Sequence, residues 1–128
     1  MNGNNMVLDT NIVLYLLGGD DILVDFLSDK TFYLSLINEM ELLGFRGISE
    51  TEELAVGFFL EDCAVVDVNK GIKDITIKLR KSYPLKLPDA IVAATAIFLG
   101  IPLISADKQF GIIQELTFVL YQPNKQNT

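Results

Sequence analysis

Residues 87–107 read LPDAIVAATAIFLGIPLISAD, and this stretch decides the fold. Pro88 sits where a first helical turn tolerates a missing N–H, and Gly100 sits just past the expected helix end. Between them AIVAATAIFL is apolar on every face, so a helix over Pro88–Leu99 must be central rather than half-exposed. Pro102–Ser105 then reads as a buried strand. Ala90–Ile104 is the longest apolar run, yet Thr95, Gly100 and Pro102 interrupt it, and it is too short to span a bilayer. No membrane partner is expected.

Outward from this segment, strand-like and helix-like runs alternate. Before it come a strand at Met6–Leu8, helices at Asn11–Leu17 and Asp21–Ser28, and a strand at Thr31–Leu36. A short helix at Asn38–Phe45 and another at Ser49–Glu61 follow, the second with Ser49 as cap and Glu52 completing a capping box. Cys63–Val68 reads as a strand and Lys70–Ser82 as a basic amphipathic helix. After the central segment come a short helix at Lys108–Gln114 and a strand at Thr117–Tyr121. Strands separated by helices need crossover connections, which predicts an α/β fold. Its expected architecture is three-layered, α/β/α, around a central parallel sheet of about five strands. The apolar runs VVDV, PLIS and TFVLY suit strands covered on both faces. One domain over residues 1–128 is expected, with Met1–Asn5 and Pro123–Thr128 as frayed tails.

Half of the 128 residues are hydrophobic, which argues against disorder. The lone Cys63 excludes an internal disulfide and reads as a small core residue. No basic residue precedes the first apolar run, so a secretory signal is not expected; these features suit a cytoplasmic protein. The net charge of −7 argues against a simple nucleic-acid coat, but the charge is unevenly spread. Residues 1–67 carry 13 acids and 2 bases, and residues 68–128 carry 4 acids and 8 bases. Six of the ten bases lie between Lys70 and Lys86, either as a solvated helix face or as a rim contacting phosphates or an acidic partner.

Four acids stand beside apolar runs where helices begin: Asp9, Glu41, Asp89 and Asp107. Each has an ordinary structural explanation. Asp9 caps the helix after it, Glu41 closes a capping box with Asn38, Asp89 favours a helix dipole, and Asp107 sits in a turn with Lys108. The set is harder to explain. Asp9 and Asp107 follow the first and fourth strands, so both stand at the carboxyl edge of the sheet, where ligands bind in such folds. Asp89 opens the central helix and is expected to face the same edge. Carboxylates about 4 Å apart repel by roughly 4 kcal/mol per pair at an effective dielectric near 20. Their convergence implies a cation or a bound proton. With no histidine and one cysteine the donors are all oxygen, which suits Mg²⁺ or Mn²⁺ rather than zinc.

These segments resemble the PIN domain, in particular the VapC-type ribonuclease toxins of toxin–antitoxin pairs. LDTNIVLYLL (Leu8–Leu17) looks like the opening motif, with Asp9 as its acid. SLINEMELLGF (Ser35–Phe45) resembles the second, its acid falling on Glu41 rather than Glu39. Leu87–Asp107 looks like the third and fourth together, with Asp89, Asp107 and, before the last acid, Ser105. The resemblance implies an endoribonuclease that uses Mg²⁺ or Mn²⁺ and leaves a 5′-phosphate and a 3′-hydroxyl. In it Asp9, Glu41, Asp89 and Asp107 hold the metal, and Ser105 donates to a carboxylate or to the phosphate. It also implies an RNA substrate, a cognate antitoxin laid across the acidic pocket, and a homodimer. Ordinary core packing is the expected use of most of Asn11–Leu17 and Glu53–Leu60, and either run could supply the dimer surface. Thr10 and Asn11 either orient Asp9 or cap its helix.

The absence of histidine removes the usual acid–base pair of metal-independent ribonucleases. A free-standing PIN nuclease and a non-catalytic interaction module remain as alternatives. A phosphoryl-transfer receiver would need an acidic pair near the amino end, at the end of the first strand, ahead of a middle-strand Asp such as Asp67, and only the single Asp9 follows that strand. On the metal reading, Asp9→Ala is expected to abolish cleavage and leave the fold intact.

Overall fold

A computed structural model describes residues 4–123. The chain order is β1 (Asn5–Leu8), α1 (Thr10–Leu17), α2 (Asp21–Leu27), β2 (Thr31–Ser35), α3 (Leu36–Leu43), α4 (Glu50–Glu61), β3 (Ala64–Val66), α5 (Lys70–Ser82), α6 (Leu87–Leu99), β4 (Leu103–Ser105) and β5 (Phe118–Leu120). The five strands form one parallel sheet in the order β3-β2-β1-β4-β5. The chain first builds outward from β1 to β3, then crosses back and continues on the other side of β1. The switch point therefore lies between β1 and β4, where a crevice opens at the carboxyl ends of the strands.

Alternation along each strand divides the core in two. Val7 and Leu103 point to the side of α5 and α6, among Ile72, Leu79, Ala90 and Ala94. Met6, Leu8 and Ile104 point to the other side, among Ile12 and Val13 of α1, Leu23 and Leu27 of α2, Leu42 of α3 and Val56 of α4. This is the expected three-layer α/β/α arrangement. As its sequence demands, α6 is central: Ala90 and Val92 to Ala96 are all buried. It ends at Gly100, whose φ of 69° places it in the left-handed region that favours glycine.

Several boundaries differ from the expectations. The end of β2 runs straight into α3, whose cap is Ser35 rather than Asn38, so Glu41 closes no capping box there. Lys108–Gln114 forms only a 3-10 turn over Lys108–Ile112. Asn5 is not frayed: it belongs to β1, and Thr31 N donates to the Asn4 carbonyl at 2.6 Å. Residues 1–3 and 124–128 of the expected tails lie outside the described residues. The box at Ser49 is as expected, with Ser49 Oγ accepting from Glu52 N at 3.1 Å and Glu52 returning a bond at 2.9 Å. Core packing takes less of the apolar runs than expected. Of Glu53–Leu60 only Val56 is buried, while Leu54 and Phe58 are 65% and 68% exposed. Among the described residues no helix is long and apolar enough to cross a membrane.

Candidate active site

Asp9 leaves β1 and caps α1, its carboxylate accepting from Thr10 N at 2.9 Å. Parallel pairing of β1 with β4 brings Ser105 beside it, although 96 residues separate the two in sequence. The Ser105 hydroxyl is fully buried. It donates to Asp9 Oδ2 at 2.7 Å and accepts from Asp107 N at 3.0 Å, so one side chain ties the acid after β1 to the acid after β4. Asp107 in turn caps the 3-10 turn through Gln109 N at 2.9 Å. Asn11 adds a second link: its amide oxygen accepts from Ala106 N at 3.2 Å, and its nitrogen lies 3.4 Å from Ser105 Oγ and 3.5 Å from Asp9 Oδ2. Of the two roles left open, Thr10 supplies a backbone N–H to Asp9, and the Asn11 side chain braces the acid rather than capping the helix.

Asp9, Glu41, Asp89 and Asp107 all line one cleft of about 920 Å³, whose remaining wall includes Leu14, Leu17 and Phe45. Glu39 does not line it and stays in the first turn of α3. Burial pushes the Asp9 carboxyl above its ordinary range; bonds from Ser105 and Thr10 oppose this, Glu41 adds repulsion, and Asn38 lowers it again. Asp89 is raised too, first by burial and then by the charges of Asp9, Asp107 and Glu41, with Lys86 offsetting part. Asp89 thus feels the charge of the other three acids, and Asp9 that of Glu41. Yet among the described residues the ion pairs are Lys30–Asp29 and Lys70–Asp74, and neither reaches this cleft. The repulsion is left without a basic partner at ion-pair distance.

Asn38 is the residue that sequence reasoning missed. It is fully buried, accepts from Ser35 N at 3.0 Å, and donates to Asp9 Oδ1 at 3.2 Å and Thr10 Oγ1 at 3.1 Å. Thr10 Oγ1 then donates to Glu41 Oε1 at 2.6 Å. The signal was present as Ser35-x-x-Asn38, a capping box with Asn in place of the usual Glu or Gln.

The donor set admits a divalent ion on chemical grounds. All side-chain donors are oxygens, the cleft is open, and among the described residues no basic side chain pairs with its acids at ion-pair distance, Lys86 acting only from further off. Among the described residues no group of three acids is close enough to hold one ion directly. A hydrated divalent ion bound through one or two carboxylates would not need three.

A family model described as the PIN domain matches residues 6–116. The chain belongs to the PIN domain family. PIN domains are generally nucleases, and those nucleases generally use divalent metals. Among solved structures, a toxin–antitoxin complex from Klebsiella pneumoniae is 29% identical with a TM-score of 0.76, over 89% of this chain and 95% of that one. VapBC-1 from nontypeable Haemophilus influenzae is 27% identical with a TM-score of 0.78, over 91% and 97%. VapBC2 from Rickettsia felis, bound to a DNA fragment from their promoter, is 20% identical with a TM-score of 0.82 over 92% and 99%, which shows the same fold. No curated protein matches. The likeness to toxin–antitoxin proteins read from the motifs thus extends to the whole PIN fold.

Proposed function

We propose that this PIN domain is a Mg²⁺- or Mn²⁺-dependent endoribonuclease and the toxin of a toxin–antitoxin pair. The observation that carries the reading is the convergence of Asp9, Glu41, Asp89 and Asp107 on one cleft, with the carboxyls of Asp9 and Asp89 raised. When bound, a divalent ion supplies the charge that activates water and offsets the phosphate. Asp9 and Asp107, held by Ser105, would be its main carboxylates, directly or through water. Glu41 or Asp89 would complete the set or orient the attacking water. Ser105 acts through these acids, since its proton is already committed to Asp9. The open cleft admits single-stranded or looped RNA more easily than a duplex.

Purified protein incubated with labelled RNA and Mg²⁺ or Mn²⁺ should cleave it, EDTA should stop the reaction, and Asp9→Asn should be inactive. Equal cleavage by the variant would refute the assignment, as would no cleavage of diverse RNAs by fresh protein.

The antitoxin reading is supported by the likeness to solved toxin–antitoxin complexes and by the make-up of the cleft. Its acidic floor suits an Arg or Lys, and Leu14, Leu17 and Phe45 suit the apolar side chains of a bound peptide. A homodimer would cover Leu54 and Phe58. Sedimentation showing only monomer at micromolar concentration would remove that part of the proposal.

A further inference from the structure

Glu41 is exposed on α3, where nothing in helical geometry obliges its carboxylate to turn toward the cleft. We propose that Asn38 and Thr10 are positioning residues that hold the Glu41 carboxylate beside Asp9 through a directed chain of hydrogen bonds, and so prepare the cation site. The inference rests on the metal-dependent reading above.

The direction of the chain follows from its ends. Ser35 N can only donate, so the oxygen of the Asn38 amide must face it. The amide nitrogen then faces Asp9 Oδ1 and Thr10 Oγ1, and its two protons are both used. Because Thr10 Oγ1 receives one of those protons, its own single proton is free for Glu41 Oε1, at 2.6 Å. Asn38 thus orients two acids at once, one directly and one through a hydroxyl. Its burial and its part in capping α3 leave the amide no second arrangement that satisfies Ser35.

Two measurements test this. Without metal, side-chain scalar couplings of Glu41 should report one rotamer in the wild type and averaging in Thr10→Val. Thr10→Val keeps the shape of the side chain and the Asn38–Ser35 pair, and Thr10→Ser should restore the order. Calorimetric titration with Mn²⁺ should show about tenfold weaker binding in Thr10→Val, the lower end of what losing such a supporting partner costs. In a Glu41→Gln background the same change should alter Mn²⁺ binding by less than about twofold, because the carboxylate it acts through is gone. Asn38→Ala should weaken binding at least as much as Thr10→Val, since it also releases Asp9. An averaged Glu41 in the wild type, or an undiminished Thr10→Val effect in the Glu41→Gln background, would overturn the proposal. A wild type with an ordered Glu41 that takes up no Mn²⁺ would instead overturn the metal reading beneath it.

Discussion

Replacing Ser105 by alanine removes one oxygen atom from the carboxyl edge where β1 and β4 pair in parallel, and the bonds it makes set the expected loss. The hydroxyl is fully buried and donates to a carboxylate at 2.7 Å. A hydrogen bond to a charged group contributes roughly 1.5–3 kcal/mol. It also accepts from Asp107 N at 3.0 Å, and a part-buried N–H left without a partner costs about 1 kcal/mol more. The contact to Asn11 at 3.4 Å is too long to add much. The sum is about 3 kcal/mol at neutral pH, which for a chain of this size lowers the melting temperature by roughly 10 °C. Stabilities of 5–15 kcal/mol are ordinary, so the variant should still fold. Ser105 is the chief group drawing the raised Asp9 carboxyl back down, so its removal raises that carboxyl further. Raising an acid in the folded state makes that state bind more protons than the unfolded one, so stability falls as pH climbs through the folded value. The deficit of Ser105→Ala should therefore fall in acid, where Asp9 is protonated in both proteins, toward about 1 kcal/mol, the cost of the unpartnered Asp107 N–H. It should grow with pH and level off above the variant's own Asp9 titration. Urea denaturation of both proteins between pH 3.5 and 8 measures this. A deficit below about 1 kcal/mol at pH 8, or one that does not change with pH, would refute the claim that this hydroxyl serves the Asp9 charge.

The remaining predictions concern the neighbouring groups. Asp9→Asn should lower cleavage by more than the roughly hundredfold typical of losing a supporting partner, yet it should be more stable than the wild type at pH 7. The wild type pays the burial of a charge whose ordinary value is 3.8, and the stability difference should vanish as pH falls toward that value; urea titrations at several pH values decide it. Asp9→Ala, by contrast, should lose about 1 kcal/mol or more in the same assay, because Asp9 caps α1, while keeping the folded circular dichroism spectrum. Glu41→Gln should abolish most RNA cleavage and Glu39→Gln should leave it within about twofold; the opposite order would show that the second motif had been read two residues out of register. The Cys63 thiol is pushed up to about 12 by burial and by Asp62, so at pH 8 a disulfide reagent should label it only after unfolding. Rapid labelling of the native protein would contradict the raised thiol of this half-buried residue.

What was legible in the sequence, and what was not, follows from how far each signal reaches. The sheet was readable because Leu8, Ile104 and Leu103 stand in runs apolar on both faces, and only a covered parallel sheet buries both. From that, Asp9 and Asp107 had to emerge at the same edge, and the bond each makes with Ser105 is the realised form of that inference. The start of α3 was not readable in the same way. Ser35 ends β2 and caps α3 at once, so no loop residues separate strand from helix, and the pattern TFYLSL continues as if it were all strand. The capping box was recognised at Ser49 and Glu52, where N3 is Glu, and passed over at Ser35, where N3 is Asn. A Glu at position 38 would have offered a capping carboxylate but no N–H for Asp9 and Thr10. An Asn supplies the same backbone acceptor together with two protons directed into the acidic cleft. The departure from the common capping pattern thus falls where a further carboxylate would have met Asp9 at close range. A local rule was broken there because a contact 29 residues away required a donor.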